Sequence, residues 1–247
     1  LTLALAVVLM IAGDPPFLAV SHAMSTLATS GISPGDGPAT APSGLLGEVA
    51  IFAFLIFALS RQTFSRDVLG GDATQLLGDP ELRMAAALIV VVPLALFLRH
   101  WLGALEVDAQ QNLGWALAAL WGGIFTVMSF LTTTGFESAT WGAARNWSGL
   151  ATPGLILMGL ALVGGGVATT AGGVKLLRVY ALYKHGLREM ERLAIPASVG
   201  GDGPIARRMR RHGAYYAWIF FMIFAISIAA VMIALSLTGL EFEPAMV

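Results

Sequence analysis

The sequence predicts an all-α integral membrane fold made of repeated modules of helix, short helix, loop and helix, and three observations support it. The chain is 57% hydrophobic and only 12% charged, with a mean hydropathy of +0.78, far from the quarter-charged mix of a soluble domain. Its apolar residues gather into runs near the roughly 20 residues that cross a hydrocarbon core. One loop pattern also occurs twice, with Gly31 and Gly135 at matching positions 104 residues apart.

The elements follow in order. Four runs approach or meet spanning length: Leu1 to Gly13, Leu45 to Ser60, Met84 to Leu98, and Tyr215 to Leu237, the last free of charge. A fifth, Trp147 to Val174, is uncharged but broken by "GGGVATTAGG". Two more apolar segments, Pro15 to Ala28 and Leu113 to Phe130, read as too short and too interrupted to cross, which makes them candidates for re-entrant helices. The chain opens at Leu1 inside an apolar run and ends in "TGLEFEPAMV", so it reads as a fragment of something longer. Without a positive n-region, Leu1 to Ala12 is not a signal peptide.

Charge places these elements across the membrane, because cytoplasmic connections collect Lys and Arg. Arg61, Arg66 and Arg83 lie in one connection, and Lys175, Arg178, Lys184, Arg188, Arg192, Arg207, Arg208, Arg210 and Arg211 in another, which accounts for twelve of the fourteen basic residues. Arg99 and Arg145 flank the second short segment, so both short segments belong to the outer side. The densest run, Arg207 to Arg211, is read as attracted to anionic lipid. The net charge of -1 argues against nucleic acid, whose binders carry a basic excess. The absence of cysteine removes disulfides, thiolate nucleophiles and Cys-based metal sites.

The repeat locates the chemistry. Span, short helix, "TSGIS" and span are followed by span, short helix, "TTTGFES" and span, with Thr29-Ser30-Gly31-Ile32 aligned on Thr133-Thr134-Gly135-Phe136. A repeat this long indicates duplicated modules. Irregular backbone at membrane depth survives only where it lines a watery cavity or is buried in protein, so each loop is a candidate ion pathway. A dehydrated cation needs oxygens in place of its water shell, and an extended Thr-x-Gly stretch offers carbonyls and a hydroxyl. Glycine admits the backbone angles that turn carbonyls inward, and a helix C-terminus adds negative partial charge. Neither aligned stretch, Thr29 to Ile32 or Thr133 to Phe136, holds a carboxylate, which suits a weakly hydrated monovalent ion such as potassium.

Five motifs in register, "HAMSTLATSGIS", "GDPELR", "FLTTTGFES", "GGGVATTAGGVKLLR" and "GLREMERLAIP", resemble the Trk/Ktr/HKT superfamily of potassium transporters, closest to its TrkH-type subunits, over essentially the whole chain. The resemblance implies four pore modules around one pseudo-fourfold filter. Residues 1–60 then form the second module, 61–83 a cytoplasmic linker, 84–195 the third module with its broken second span, 196–213 another linker, and 214–247 the first span of the fourth. Thr29, Ser30, Gly31 and Ile32 with Thr133, Thr134, Gly135 and Phe136 supply two of four filter strands. Gly164, Gly165, Gly166, Ala168, Thr169, Thr170, Gly172, Gly173 and Lys175 match a gating intramembrane loop. Ser30 stands where a second glycine is common, and Ile32 where Phe is common.

The resemblance further implies a multi-pass protein of the bacterial inner membrane that passes potassium as its substrate. It implies no organic cofactor, no other metal and no enzymatic activity, contacts with membrane lipid, a homodimer, and a cytosolic nucleotide-binding TrkA-like ring.

Other readings of the same residues stand beside these. A helix cap ending at glycine or a close-packing face at Gly165, Ala168 and Gly172 accounts for single motifs. A broken-helix carrier of another small substrate, or a sodium-permeable relative, is the alternative function, and a hydrolase pairing Ser25 with His22 a remote one. Glu48 either pairs locally or braces the loop. Asp36 and Glu137 either raise cation concentration at the mouth or are solvated.

Overall fold

A computed structural model of the chain describes residues 1–59, 79–102, 113–149, 153–194 and 211–239. Arg61, Arg66, Arg207, Arg208 and Arg210 lie outside the described residues, as do most of both linkers. Among the described residues the regular structure is helical: α1 (Thr2–Ile11), α2 (Pro16–Ala28), α3 (Gly44–Leu55, prolonged by a 3₁₀ turn at Ile56–Ala58), α4 (Pro80–Leu102), α5 (Leu113–Leu131), α6 (Trp141–Ser148), α7 (Gly154–Val163), α8 (Leu176–Ala194) and α9 (Arg211–Ser236). The chain forms two compact units, Leu1–Gly173 and Val174–Val247.

In the first unit, α1 packs on α2 and α3, α5 packs on α4, α6 and α7, and α3 joins the two groups by packing on α5. Leu5, Leu9, Ile51, Leu55, Phe125, Met128 and Leu131 are the large apolar side chains at its centre, each at most 1% exposed. The helix starts follow their residues. Prolines at Pro15 and Pro16 open α2, where a missing N–H costs nothing. The "GDPELR" motif opens α4: Asp79 Oδ1 accepts the Glu81 N–H at 3.1 Å, an N-cap bond with Pro80 at the first helical position.

The second short segment is uninterrupted: Leu113–Leu131 forms one continuous helix, and by length and composition alone its Gly114–Leu131 part is as long and apolar as a span. Gly122 and Gly123, which look like interruptions in sequence, sit inside that helix where neighbours come close; a Cβ on Gly123 would lie 3.3 Å from Pro93 Cβ. The run from Trp147 to Val174 is also not one span with a single break. Trp147 belongs to the separate helix α6, which Gly149 ends in a left-handed conformation, and its ring stacks on Phe97 of α4 at 5.4 Å. The apolar helix α7 begins only at Gly154, because the sequence pattern has no way to mark where an uncharged run turns.

In the second unit, amphipathic α8 packs on α9, with the Arg178 guanidinium 4.3 Å from the centre of the Phe220 ring. The span Gly213–Ser236 of α9 is apolar all round and, Ala217 apart, none of its residues is buried by the chain, as expected of a helix whose solvent is lipid.

Candidate functional site

The two aligned loops leave their helices in the same way. Past α2, the Ser30 N–H donates to Ser25 O at 3.0 Å and the Thr29 N–H to Thr26 O at 3.2 Å. Past α5, the Thr134 N–H donates to Ser129 O at 2.8 Å and the Thr133 N–H to Phe130 O at 3.0 Å. This pair of bonds closes a helix around one left-handed residue. That residue is a threonine in both copies, with φ of 48° at Thr29 and 58° at Thr133; the glycine expected as the cap comes two positions later. Gly31 and Gly135 then turn left-handed again, at 67° and 79°. Threonine is β-branched, and holding it there costs of order 1–3 kcal/mol. Two independent copies keep the same strained residue in the same place.

Supporting contacts differ between the copies. Thr132 is fully buried and its hydroxyl lies 3.0 Å from Met128 O, Ser129 O and Thr134 Oγ1, tying the second loop to its own helix. In the first, the Ser30 hydroxyl donates to Ser25 Oγ at 3.2 Å. Phe136 is 2% exposed while its counterpart Ile32 is 71% exposed. Phe136 packs edge-on against the His22 ring, centroids 5.7 Å apart. The loops also meet directly: a Cβ built on Gly31 would overlap the Thr134 carbonyl oxygen.

Glu48, 1% exposed in α3, reaches the second loop. It accepts from the Ala139 N–H at 2.6 Å, the Ser138 hydroxyl at 2.8 Å and Trp121 Nε1 at 2.7 Å. His22 Nε2 lies 2.8 Å from Ser33 Oγ, so neither His22 nor Ser25 makes the hydrogen bond to the other that a nucleophile and base require. Asp36 and Glu137 are exposed at the loop mouths. Among the described residues no three His, Cys, Asp or Glu side chains cluster as metal ligands.

The glycine-rich stretch forms a loop whose ends touch. A Cβ on Gly164 would overlap Gly172 O, and one on Gly173 would lie 2.6 Å from Gly164 Cα. Only glycine permits that closure. Four hydrogen bonds hold the loop to its surroundings: Gly166 N–H to Ala58 O at 3.0 Å, Val167 N–H to Glu81 Oε1 at 3.0 Å, Thr170 hydroxyl to Leu27 O at 2.9 Å, and Gly172 N–H to Thr133 Oγ1 at 2.6 Å. Thr169 bonds within the loop, to Gly166 O at 2.7 Å. A Cβ on Gly165 would be 2.7 Å from Ala58 O, so close packing is one part of the loop's design. Ala168, left-handed at φ 60°, lines with Thr169 and Thr170 a cavity of about 270 Å³ that Thr26, Leu27, Phe54, Phe57 and Ala58 complete.

Gly164 to Gly173 and both Thr-x-Gly loops are therefore brought together in one unit, whereas Lys175, at φ 84°, belongs to the other. The sequence does not mark Glu81 as a partner of this loop. Its motif marks a helix start, and nothing in the spacing shows that a buried carboxylate 86 positions away receives the Val167 N–H.

Comparison with known proteins puts this geometry in context. The family model described as TrkH, cation transport protein, matches residues 72–244. The Trk system potassium uptake protein TrkH of Salmonella typhimurium is 30% identical over 242 residues, covering 98% of this chain and 48% of that protein. The protein of the same name from Vibrio parahaemolyticus is 30% identical over 251 residues, with 98% and 48% covered. The crystal structure of the potassium transporter TrkH from Vibrio parahaemolyticus superposes with a TM-score of 0.78 at 26% identity, over 100% of this chain and 51% of that one. The chain spans about half the length of the curated relatives it matches.

Proposed function

The chain belongs to the TrkH family of cation transport proteins, and from that membership we propose that it supplies pore-forming elements of a potassium uptake system in a bacterial plasma membrane. The observation that carries the reading is the matched pair of loops, each a helix cap at a left-handed threonine followed two residues on by a left-handed glycine, in contact at Gly31 and Thr134. Backbone carbonyls presented this way replace the water shell of a weakly hydrated cation, and the C-terminal ends of α2 and α5 bring roughly half a negative charge each toward it.

In this reading Thr29 to Ile32 and Thr133 to Phe136 are two strands of a selectivity filter, completed by further modules of the same kind. Gly164 to Gly173 is the gate. Its support is the hydrogen bonding of the loop to Thr133 Oγ1 and Leu27 O, at the ends of both short helices. The full-length protein works as a homodimer docked on a cytosolic nucleotide-binding regulatory ring, as the family resemblance implies; the names of its relatives say only that they belong to a Trk system.

The test is rubidium or potassium uptake by the full-length protein in a host lacking potassium import. Uptake and growth rescue are expected from the unaltered protein and loss of both from Gly135→Asp, which puts a carboxylate at a left-handed position. Full growth rescue by that variant would sink the filter assignment.

A further inference from the structure

Glu48 carries more than local packing requires. It is a carboxylate 1% exposed, and a charge taken out of water persists only when paired or fully hydrogen-bonded. Its bonds go to three donors of the other repeat: the Trp121 indole in α5, and the Ser138 hydroxyl and Ala139 amide just past the second loop, all within 2.8 Å. Bonds of this length to an ionised acceptor are the strong ones. Ser138 is held further by Thr140 Oγ1 at 3.0 Å, and it is three residues from Gly135. The carboxylate thus grips the chain where it leaves the second Thr-x-Gly stretch, while Thr132 grips it where it enters.

This arrangement is not repeated by the duplication. At the same 104-residue offset, Trp121 and Ser138 correspond to Phe17 and Pro34, neither of which can donate from side chain or, for proline, backbone. Within this chain the first loop therefore lacks the two side-chain donors by which the second is gripped.

We infer that Glu48 is a positioning residue that sets the ion preference of the second loop from behind, without touching the ion. The inference rests on the filter reading above. Its test is competition of sodium against rubidium uptake by the full-length protein at matched membrane levels. Glu48→Gln keeps the shape but must turn its NH2 toward at least one donor, the Ala139 N–H if its oxygen keeps Trp121 and Ser138; its potassium-over-sodium preference is expected to fall about tenfold with uptake retained. Trp121→Phe and Ser138→Ala each remove one donor and are expected to shift preference the same way by less. In combination with Glu48→Gln they add nothing more, which separates positioning from general destabilisation.

If Glu48→Gln does not reach the membrane, the two donor variants carry the test. Unaltered preference in Glu48→Gln, or in both donor variants, overturns the inference while leaving the filter reading standing. No uptake by the unaltered protein overturns both.

Discussion

The α-carbon of Gly31 faces the carbonyl oxygen of Thr134 so closely that a single added methyl group would overlap it. The first predicted outcome concerns this contact. Gly31→Ala suffers both the overlap and a φ of 67°, which alone costs of order 1–3 kcal/mol. Rubidium uptake is expected to fall at least about tenfold and the Tm of the purified full-length protein to drop. Gly35→Ala is the control, since Gly35 has no atom within 4 Å of an added Cβ. Equal behaviour of the two variants would show that the Gly31 contact does not matter.

Thr133 links the second Thr-x-Gly loop to the glycine-rich loop through one atom, its hydroxyl oxygen, which accepts the Gly172 N–H at 2.6 Å. Thr133→Ala removes the acceptor and is expected to raise basal flux about fivefold, the equivalent of one hydrogen bond of about 1 kcal/mol. Thr133→Ser keeps the oxygen and should restore the closed level. A Ser variant as leaky as the Ala variant would assign the effect to the lost methyl group instead.

Glu81 holds the opposite side of the same loop by accepting from Val167 N–H. With Glu81 only 3% exposed, Glu81→Ala leaves a donor without its acceptor, worth about 1–3 kcal/mol. Faster hydrogen exchange at the Val167 amide and higher basal flux are both expected, with Glu81→Gln intermediate because an amide oxygen still accepts. Unchanged exchange in Glu81→Ala would remove this anchor from the account.

Shortening the loop is the broadest check on the gate. Deleting residues 168–171 removes the Thr170 bond to Leu27 O and part of the wall of the cavity, so ion leak should rise at normal expression. Flux equal to or below that of the intact protein would count against a plug.

What the sequence determined by itself was whatever depends on composition and short range. Hydropathy set the membrane class, the 104-residue offset revealed the duplication, and ten small residues in succession marked the loop that follows α7. Helix starts such as Asp79-Pro80-Glu81 follow from bonds within one turn, so they too are legible in order along the chain.

Tertiary structure decided which loop touches which support. Glu48 meets Ser138 and Ala139, Glu81 meets Val167, and Thr133 meets Gly172, across separations of 39 to 91 positions. A local pattern specifies which face of a helix is apolar, but not which neighbour covers it or at what height. Those contacts exist only once two modules have packed. The left-handed threonines show the same division: glycine is the residue a sequence nominates for that backbone. The cap bonds at the two helix ends hold Thr29 and Thr133 there instead, with Thr29 buried and Thr133 half-buried, against a strain of order 1–3 kcal/mol.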